Sequence, residues 1–210
     1  NLAQDVRKQV FLYISFESFS PRIQVEVVDR AGQVFGVAEA RLHMLNPNDV
    51  MMAVVTESAT GAVDLTGAAP GTGNAFQVRW QVEDIPPLAD ALAGLDVLLF
   101  HEVDTGALRP EQVDAIKGWV LRGGHLIVAT GDFWQRTTAG LDDLLPADPE
   151  GTMPAETLAP LAAYLRIEPD VLEGGTTLTR LVLRPGARTL VGVDEGPVLV
   201  RGGYGSGTVD

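Results

Sequence analysis

The sequence predicts an α/β fold with a mostly parallel central sheet, preceded by a small antiparallel β unit. Two short stretches, residues 50–56 and 95–100, are continuous apolar runs, which are typical of parallel strands covered on both faces. Residues 95–131 read as a strand, a helix and a second buried strand, which indicates a right-handed crossover. Residues 22–45 instead alternate apolar and polar side chains, as antiparallel strands with one solvated face do.

The crossover helix is delimited by residues that start and stop helices. Pro110 suits the first helical turn, because its backbone angle is already helical and its missing N–H is not needed there. Gly123 and Gly124 suit the C-terminal end. The apolar side chains between them fall at i, i+3 and i+7 and predict one buried stripe: Val113, Ile116 and Val120.

The chain is predicted to hold an antiparallel β unit over residues 1–46 and an α/β domain over residues 49–210. The boundary is the Asn-Pro-Asn-Asp stretch at residues 46–49, after which the hydrophobic periodicity changes. In the first unit, strands are predicted over residues 9–16, 22–29 and 33–45.

Three further segments are predicted before the crossover. Residues 61–75 are rich in Gly, Ala and Thr and indicate a loop. Residues 76–82 alternate, which fits a half-exposed edge strand, and residues 84–95 predict a short helix or turn.

After the crossover, an irregular or helical insertion is expected at about residues 132–175, with a short helix over 154–165. Two hairpins are predicted after it: residues 177–192 with a turn at Pro185-Gly186, and residues 196–209 with a turn at Gly203 to Gly207.

The composition excludes several kinds of function. The 210 residues include 28 acidic and 15 basic side chains, and the net charge of −13 would repel nucleic acid and anionic membrane surfaces. The absence of cysteine excludes disulfides, thiolate metal ligands and a cysteine nucleophile. No apolar run reaches the roughly 18 residues of a membrane span. Because the first residue is Asn1, we expect a processed or trimmed piece of a longer protein.

Two stretches resemble a known superfamily. They are LDVLLF followed by LRPEQVDAIKGWVLRGGHLIVATG within residues 95–131, and PVLVRGGYGSGTV at residues 197–209. This pattern resembles the class I glutamine amidotransferase-like superfamily, in particular its divergent members in bacterial membrane-anchored proteins of unknown function. The resemblance covers residues 49–210 and implies a flavodoxin-like three-layer sandwich.

The resemblance does not extend to the catalytic residues. Active amidotransferases use a cysteine at a strand-to-helix elbow, with a His and a Glu further along the chain. Here the corresponding turn is Thr130-Gly131-Asp132, and no histidine follows His125. Glutamine hydrolysis by that mechanism is therefore excluded, and no catalytic residue is assigned.

Polar residues at the predicted strand ends are the candidates for a ligand-binding cleft, because open α/β sheets bind ligands beyond the carboxyl ends of their strands. A histidine with carboxylates could hold a divalent cation. Adjacent residues of an extended chain point in opposite directions, however, which favours an ordinary solvated edge. We therefore predict no metal site and no cofactor. The cleft candidates are His101, Glu102, Asp104, Thr130 and Asp132.

Two other catalytic patterns are weak. Ser58 or Thr130 could pair with His101 as nucleophile and base, but the chain lacks the G-x-S-x-G elbow. Residues 67–73 faintly resemble a phosphate-binding loop, but the Lys-Ser/Thr pair that such loops need is missing.

The resulting hypothesis is a non-catalytic domain that acts in protein interaction or ligand sensing within a larger bacterial envelope protein. Its partner would be an unidentified protein or a small ligand, and it would meet a membrane only through segments outside residues 1–210. The predicted location is extracytoplasmic, with the cytoplasm as the alternative. Two other functions stay open: a hydrolase with a replaced carboxylate or metal site, and a carbohydrate-binding accessory domain by analogy with β-galactosidases.

Overall fold

A computed structural model gives the fold and describes residues 10–14, 22–42, 44–57, 63–68, 71–168 and 175–210. The chain divides into two compact units, Asn1–Asn48 and Asp49–Asp210.

The first unit contains an antiparallel pair, strand β1 (Arg22–Val28) and strand β2 (Val34–Arg41), as the alternation predicts. Asp29 fixes the turn between them, because its carboxylate accepts hydrogen bonds from the amides of Ala31 and Gln33 at 2.8 and 2.9 Å. The strand predicted over 9–16 is wrong for its described part: residues 10–14 form no strand, because their β-prone side chains have no paired neighbour there. Residues 9, 15 and 16 lie outside the described residues.

The second unit is built on a seven-stranded sheet, and the predicted α/β class with a mostly parallel sheet is confirmed. Five strands run parallel to one another: β3 (Val50–Val55), β4 (Ala75–Trp80), β5 (Val97–His101), β6 (His125–Ala129) and β11 (Gly207–Val209). Two are antiparallel: β9 (Arg188–Val193) and β10 (Gly196–Tyr204). The order across the sheet is β4-β3-β5-β6-β11-β10-β9, so β4 lies at an edge as predicted.

The predicted crossover is confirmed. Helix α1 (Pro110–Leu121) connects β5 to β6 and packs its apolar stripe on the sheet. The side chains at this interface are fully buried, which makes it the centre of the core: Leu98, Phe100, Ile116, Val120 and Leu126.

One buried polar side chain, Gln112, joins the start of α1 to the segment before β5. Its amide nitrogen donates to the carbonyls of Val82 and Ile85, each at 2.7 Å, and its oxygen accepts from the Arg109 amide at 3.0 Å. The predicted short helix or turn over 84–95 consists of two 3-10 turns, Val82–Asp84 and Ala89–Leu92. Gln112 therefore holds the first of these turns against the helix.

The insertion after β6 is only partly irregular or helical. It contains helix α2 (Trp134–Thr138) and helix α3 (Ala159–Leu165), but also a nine-residue strand, β7 (Ala147–Ala155), that the sequence did not predict. Strand β7 pairs antiparallel with β8 (Thr176–Leu183) in a two-stranded ribbon.

The hairpin predicted over 177–192 is wrong. The turn at Pro185-Gly186 exists, but β8 pairs with β7 while β9 pairs with β10, so the chain changes sheets there. Arg184 holds this crossing point, because its guanidinium binds the carboxylates of Asp148 and Asp142. The second predicted hairpin is confirmed as β10 and β11, which turn at Gly205-Ser206.

Candidate functional site

The carboxyl edge of the parallel strands carries an ion network centred on Arg136 of α2. One Arg136 Nη lies 3.2 Å from each carboxylate oxygen of Glu57, and its Nε lies 3.6 Å from Asp104 Oδ2. Glu57 also accepts from the Asp104 amide at 3.1 Å. The three side chains are 41–52% exposed, so each pair contributes only about 0–1 kcal/mol.

Buried Thr105 positions this network. Its hydroxyl donates to the carbonyls of Arg136 and Thr137, both at 3.1 Å, and accepts from the Gly140 amide at 2.9 Å. The end of α2 is thereby fixed against the loop that follows β5. Arg136 is not among the residues that the sequence predicts for this site. It follows β6, and the acidic residues Glu57 and Asp104 follow the strands β3 and β5 of the same sheet, which is the pattern that suggests an ion pair.

The predicted cleft candidates are only partly brought together. Asp104 joins the Arg136 network, whereas Glu102 is exposed with a left-handed backbone angle of φ 47° and Asp132 is exposed beyond β6. His101 ends β5, and its Nδ1 is buried without a hydrogen-bond partner among the described residues. No group of three or more His, Asp or Glu side chains placed to share a metal ion is found in the described part of the chain. Ser58 lies outside it.

Thr130, the fifth candidate, lies beside a different feature, a cavity of about 240 Å³ that is lined in part by the end of β6 and by β10. Strand β11 lies between these two strands and pairs with β6 at Thr208↔His125 and Val209↔Leu126. The ladder continues at Asp210, whose amide donates to the Leu126 carbonyl and whose carbonyl accepts from the Val128 amide, both at 2.9 Å.

We call this cavity the strand slot. One side is formed by residues 127–130, which end β6, and the other by residues 198–200 of β10. The other lining residues are mostly apolar: Thr138, Leu145, Pro146, Ala147, Pro149, Leu181 and Asp210.

Asp210 closes one end of the strand slot. Its side chain is 5% exposed and accepts from Arg201 Nε at 2.6 Å, from an Arg201 Nη, and from His125 Nε2 at 2.9 Å. Burial alone would raise the pKa of Asp210, but the hydrogen bonds from Arg201 and His125 outweigh burial and lower this pKa to about 2. Asp210 is therefore a fixed anion at neutral pH.

The family model "Domain of unknown function (DUF4350)" matches residues 76–210. The chain belongs to this family. The DUF4350 match includes both sides of the strand slot, helix α1 and the β7–β8 ribbon, whereas β1, β2 and β3 lie before it.

Two solved structures share the fold. Cytoplasmic Protein STM1381 from Salmonella typhimurium LT2 aligns with 76% of this chain and 86% of its own, at 14% identity and a TM-score of 0.53. Cytoplasmic Protein STM3548 from Salmonella typhimurium aligns with 76% of this chain and 85% of its own, at 14% identity and a TM-score of 0.52. At this identity the likeness concerns the fold alone.

A third structure, Exo-beta-1,4-mannosidase Op5Man5 from Opitutaceae bacterium strain TAV5, aligns with 77% of this chain and 30% of its own, at 16% identity and a TM-score of 0.42. No curated protein matches the chain in sequence. Within the described residues, no helix is both long enough and apolar enough to cross a membrane.

Proposed function

We propose that this DUF4350 chain is a non-catalytic interaction domain that binds apolar side chains of a partner peptide in the strand slot. The observation that carries the proposal is the mostly apolar lining of this cavity of about 240 Å³. Concave, mostly apolar pockets with a few polar groups are the usual binding sites for ligands and for the anchoring side chains of partners.

We further propose that the fold is flavodoxin-like, as the amidotransferase-like resemblance implies. The parallel strands lie in the order β4-β3-β5-β6-β11, which in chain order is 2-1-3-4-5. That is the strand order of flavodoxin-like folds. The strand order and the α1 crossover support a relationship in fold with the amidotransferase-like superfamily. They do not concern the catalytic chemistry of that superfamily.

The slot also favours a particular peptide. Most of the side chains that line it are apolar, so apolar side chains of a peptide would be buried there. Outside the slot the net charge of −13 favours basic flanking residues, because they speed encounter with an acidic surface.

The non-catalytic part of the proposal is supported by the carboxyl edge. Glu57 and Asp104 are both engaged by Arg136, and Asp132 is exposed away from that network. The hydrolase alternative needs these carboxylates to converge with His101 in one pocket. The cellular location of the protein stays a prediction: extracytoplasmic, with the cytoplasm as the alternative.

A fluorescent peptide of about six residues, a Val/Ile run with lysine at both ends, tests the proposal. We expect saturable binding by fluorescence anisotropy and slower hydrogen exchange at the Thr130 amide when the peptide is bound. Ala129→Phe should abolish binding by filling the slot, whereas Ala163→Phe on the exposed face of α3 should leave it unchanged.

Binding that is unaffected by Ala129→Phe would contradict the proposal, as would the absence of saturable binding to the original chain.

A further inference from the structure

A second concave surface lies on β9, β10 and β11, and we call it the arginine groove. Its volume is about 270 Å³, and its lining is Gly186, Arg188, Arg201, Gly202, Gly203 and Thr208. No acidic residue lines it among the described residues, although acidic side chains outnumber basic ones by 28 to 15 in the chain. The groove therefore presents one guanidinium group without an ion pair among the described residues, that of Arg188, beside a second one that is paired with Asp210.

The two arginines are direct cross-strand partners, Arg201 on β10 and Arg188 on β9. Directly opposed residues of an antiparallel pair project from the same face, and like charges in that position destabilise a sheet. Arg201 uses Nε and one Nη to bind Asp210, which leaves its other Nη free of that pair. For Arg188, the described residues provide no ion pair. An anion placed between the two guanidinium groups would remove the repulsion.

Two of the glycines of β10, Gly202 and Gly203, line the groove, and the structure requires glycine at only one of these positions. A Cβ at Gly202 would lie 2.8 Å from Pro146 Cβ, so packing requires glycine there. A Cβ at Gly203 would meet no atom within 4 Å, and its backbone angle is not in the left-handed region. Neither packing nor backbone geometry requires glycine at position 203. A side chain there would project beside Thr208, its cross-strand partner, and into the groove.

We propose that the arginine groove binds a small anion through at least two carboxylate or phosphate oxygens. Guanidinium groups present paired N–H donors that match the oxygen spacing of carboxylates and phosphates. Gly203 leaves the volume that such an anion needs, and the Thr208 hydroxyl offers a further hydrogen bond. This site is separate from the strand slot and shares with it only the Arg201–Asp210 pair.

Isothermal titration with inorganic phosphate and with citrate, each at low ionic strength, tests the proposal. We expect saturable binding of at least one of them that weakens as sodium chloride is added. Phosphate binding alone would identify a phosphate-bearing ligand, and citrate binding alone a polycarboxylate. The absence of binding by both anions would overturn the proposal.

Two variants test the mechanism of binding. Gly203→Val should fill the groove and abolish anion binding, while the thermal midpoint stays the same or rises because valine suits a strand. Arg188→Gln should weaken binding by at least about tenfold, since it removes a charge-assisted contact. Arg79→Gln on the opposite edge strand β4 is the control and should bind as the original chain does. Unchanged binding by both Gly203→Val and Arg188→Gln would also overturn the proposal.

The experiments distinguish failure of the strand-slot proposal from failure of the arginine-groove proposal. Gly203→Val and Arg188→Gln should bind the slot peptide normally, and Ala129→Phe should bind the anion normally. Loss of peptide binding with intact anion binding would therefore locate the error in the proposed function, not in the groove.

Discussion

Strand β6 has different surroundings on its two flanks. Against β5 it forms five residue pairs along its whole length, and α1 covers the shared face. On the side of β11 and β10, residues 127–130 line the strand slot. The same strand therefore contributes to the packed core on one flank and to the lining of a cavity on the other. A cavity of this kind keeps its shape because the strand that lines it is fixed by the rest of the sheet.

The largest expected difference between the two flanks is in packing. Phe100→Ala on the β5 side removes a fully buried ring and should lower the free energy of unfolding by about 3–5 kcal/mol. Ile127→Ala on the slot side should cost no more than about 1 kcal/mol, because its side chain already borders a cavity. Urea denaturation measures both, and similar losses would contradict the comparison.

The polar support of α1 should give the next largest effect. Gln112→Leu leaves the buried carbonyls of Val82 and Ile85 without their donor and should cost about 2–3 kcal/mol. Gln135→Leu, on the exposed surface of α2, is the matched control and should change stability by less than about 0.5 kcal/mol. Equal urea midpoints for the two variants would show that the amide contacts are unimportant.

Asp210 lies beside the strand slot, and its effect on stability should depend on pH. Because its pKa is lowered from 3.8 to about 2, the ionised carboxylate stabilises the fold above about pH 4, and this contribution is lost as the pH falls through about 2. Asp210→Asn should therefore cost about 2 kcal/mol at pH 7 and nearly nothing near pH 2. Urea denaturation across this range measures the difference, and a constant difference would rule out the ion pair as its cause.

The smallest effect should come from the exposed pair on the outer side of α1. The hydrogen bond from Lys117 to Asp143, at 2.7 Å, raises the pKa of Lys117 and lowers that of Asp143, but Asp143 is 75% exposed. Lys117→Gln should cost no more than about 0.5 kcal/mol in urea at low salt. The cost should disappear at about 1 M sodium chloride, where charges a few ångströms apart are screened. A loss of 2 kcal/mol that persists in salt would contradict this estimate.

The sequence predicted the β5–α1–β6 crossover correctly because the signals for it are local. Pro110, the apolar stripe of α1 and Gly123-Gly124 lie within one strand–helix–strand segment, so no distant contact had to be known. Strand β7 was missed because Pro149, Gly151 and Pro154 make it resemble a loop. Only its pairing with β8, later in the chain, makes it a strand.

The candidate site was less predictable for a related reason. His101, Glu102, Asp104, Thr130 and Asp132 were chosen because they follow strands, and whether they bind a ligand stays a prediction. Arg136, which brings Glu57 and Asp104 together, comes from a helix after a different strand, so no sequence spacing indicates it. The strand slot is lined by residues of β6, β10 and the β7–β8 ribbon, so it is a property of the fold and not of any one segment.

The pairing of β6 with β11 also has a consequence for folding kinetics. His125 and Thr208 are paired across roughly 80 intervening residues, which include the β7–β8 ribbon and the β9–β10 pair. Contacts of such separation form slowly, because the closing loop loses much conformational entropy before the pairing compensates for it. The β3–β6 sheet with α1 contains only local crossovers and should form first. We therefore expect mutations at Thr208 and Val209 to speed unfolding while leaving the folding rate nearly unchanged, which stopped-flow chevron plots can measure.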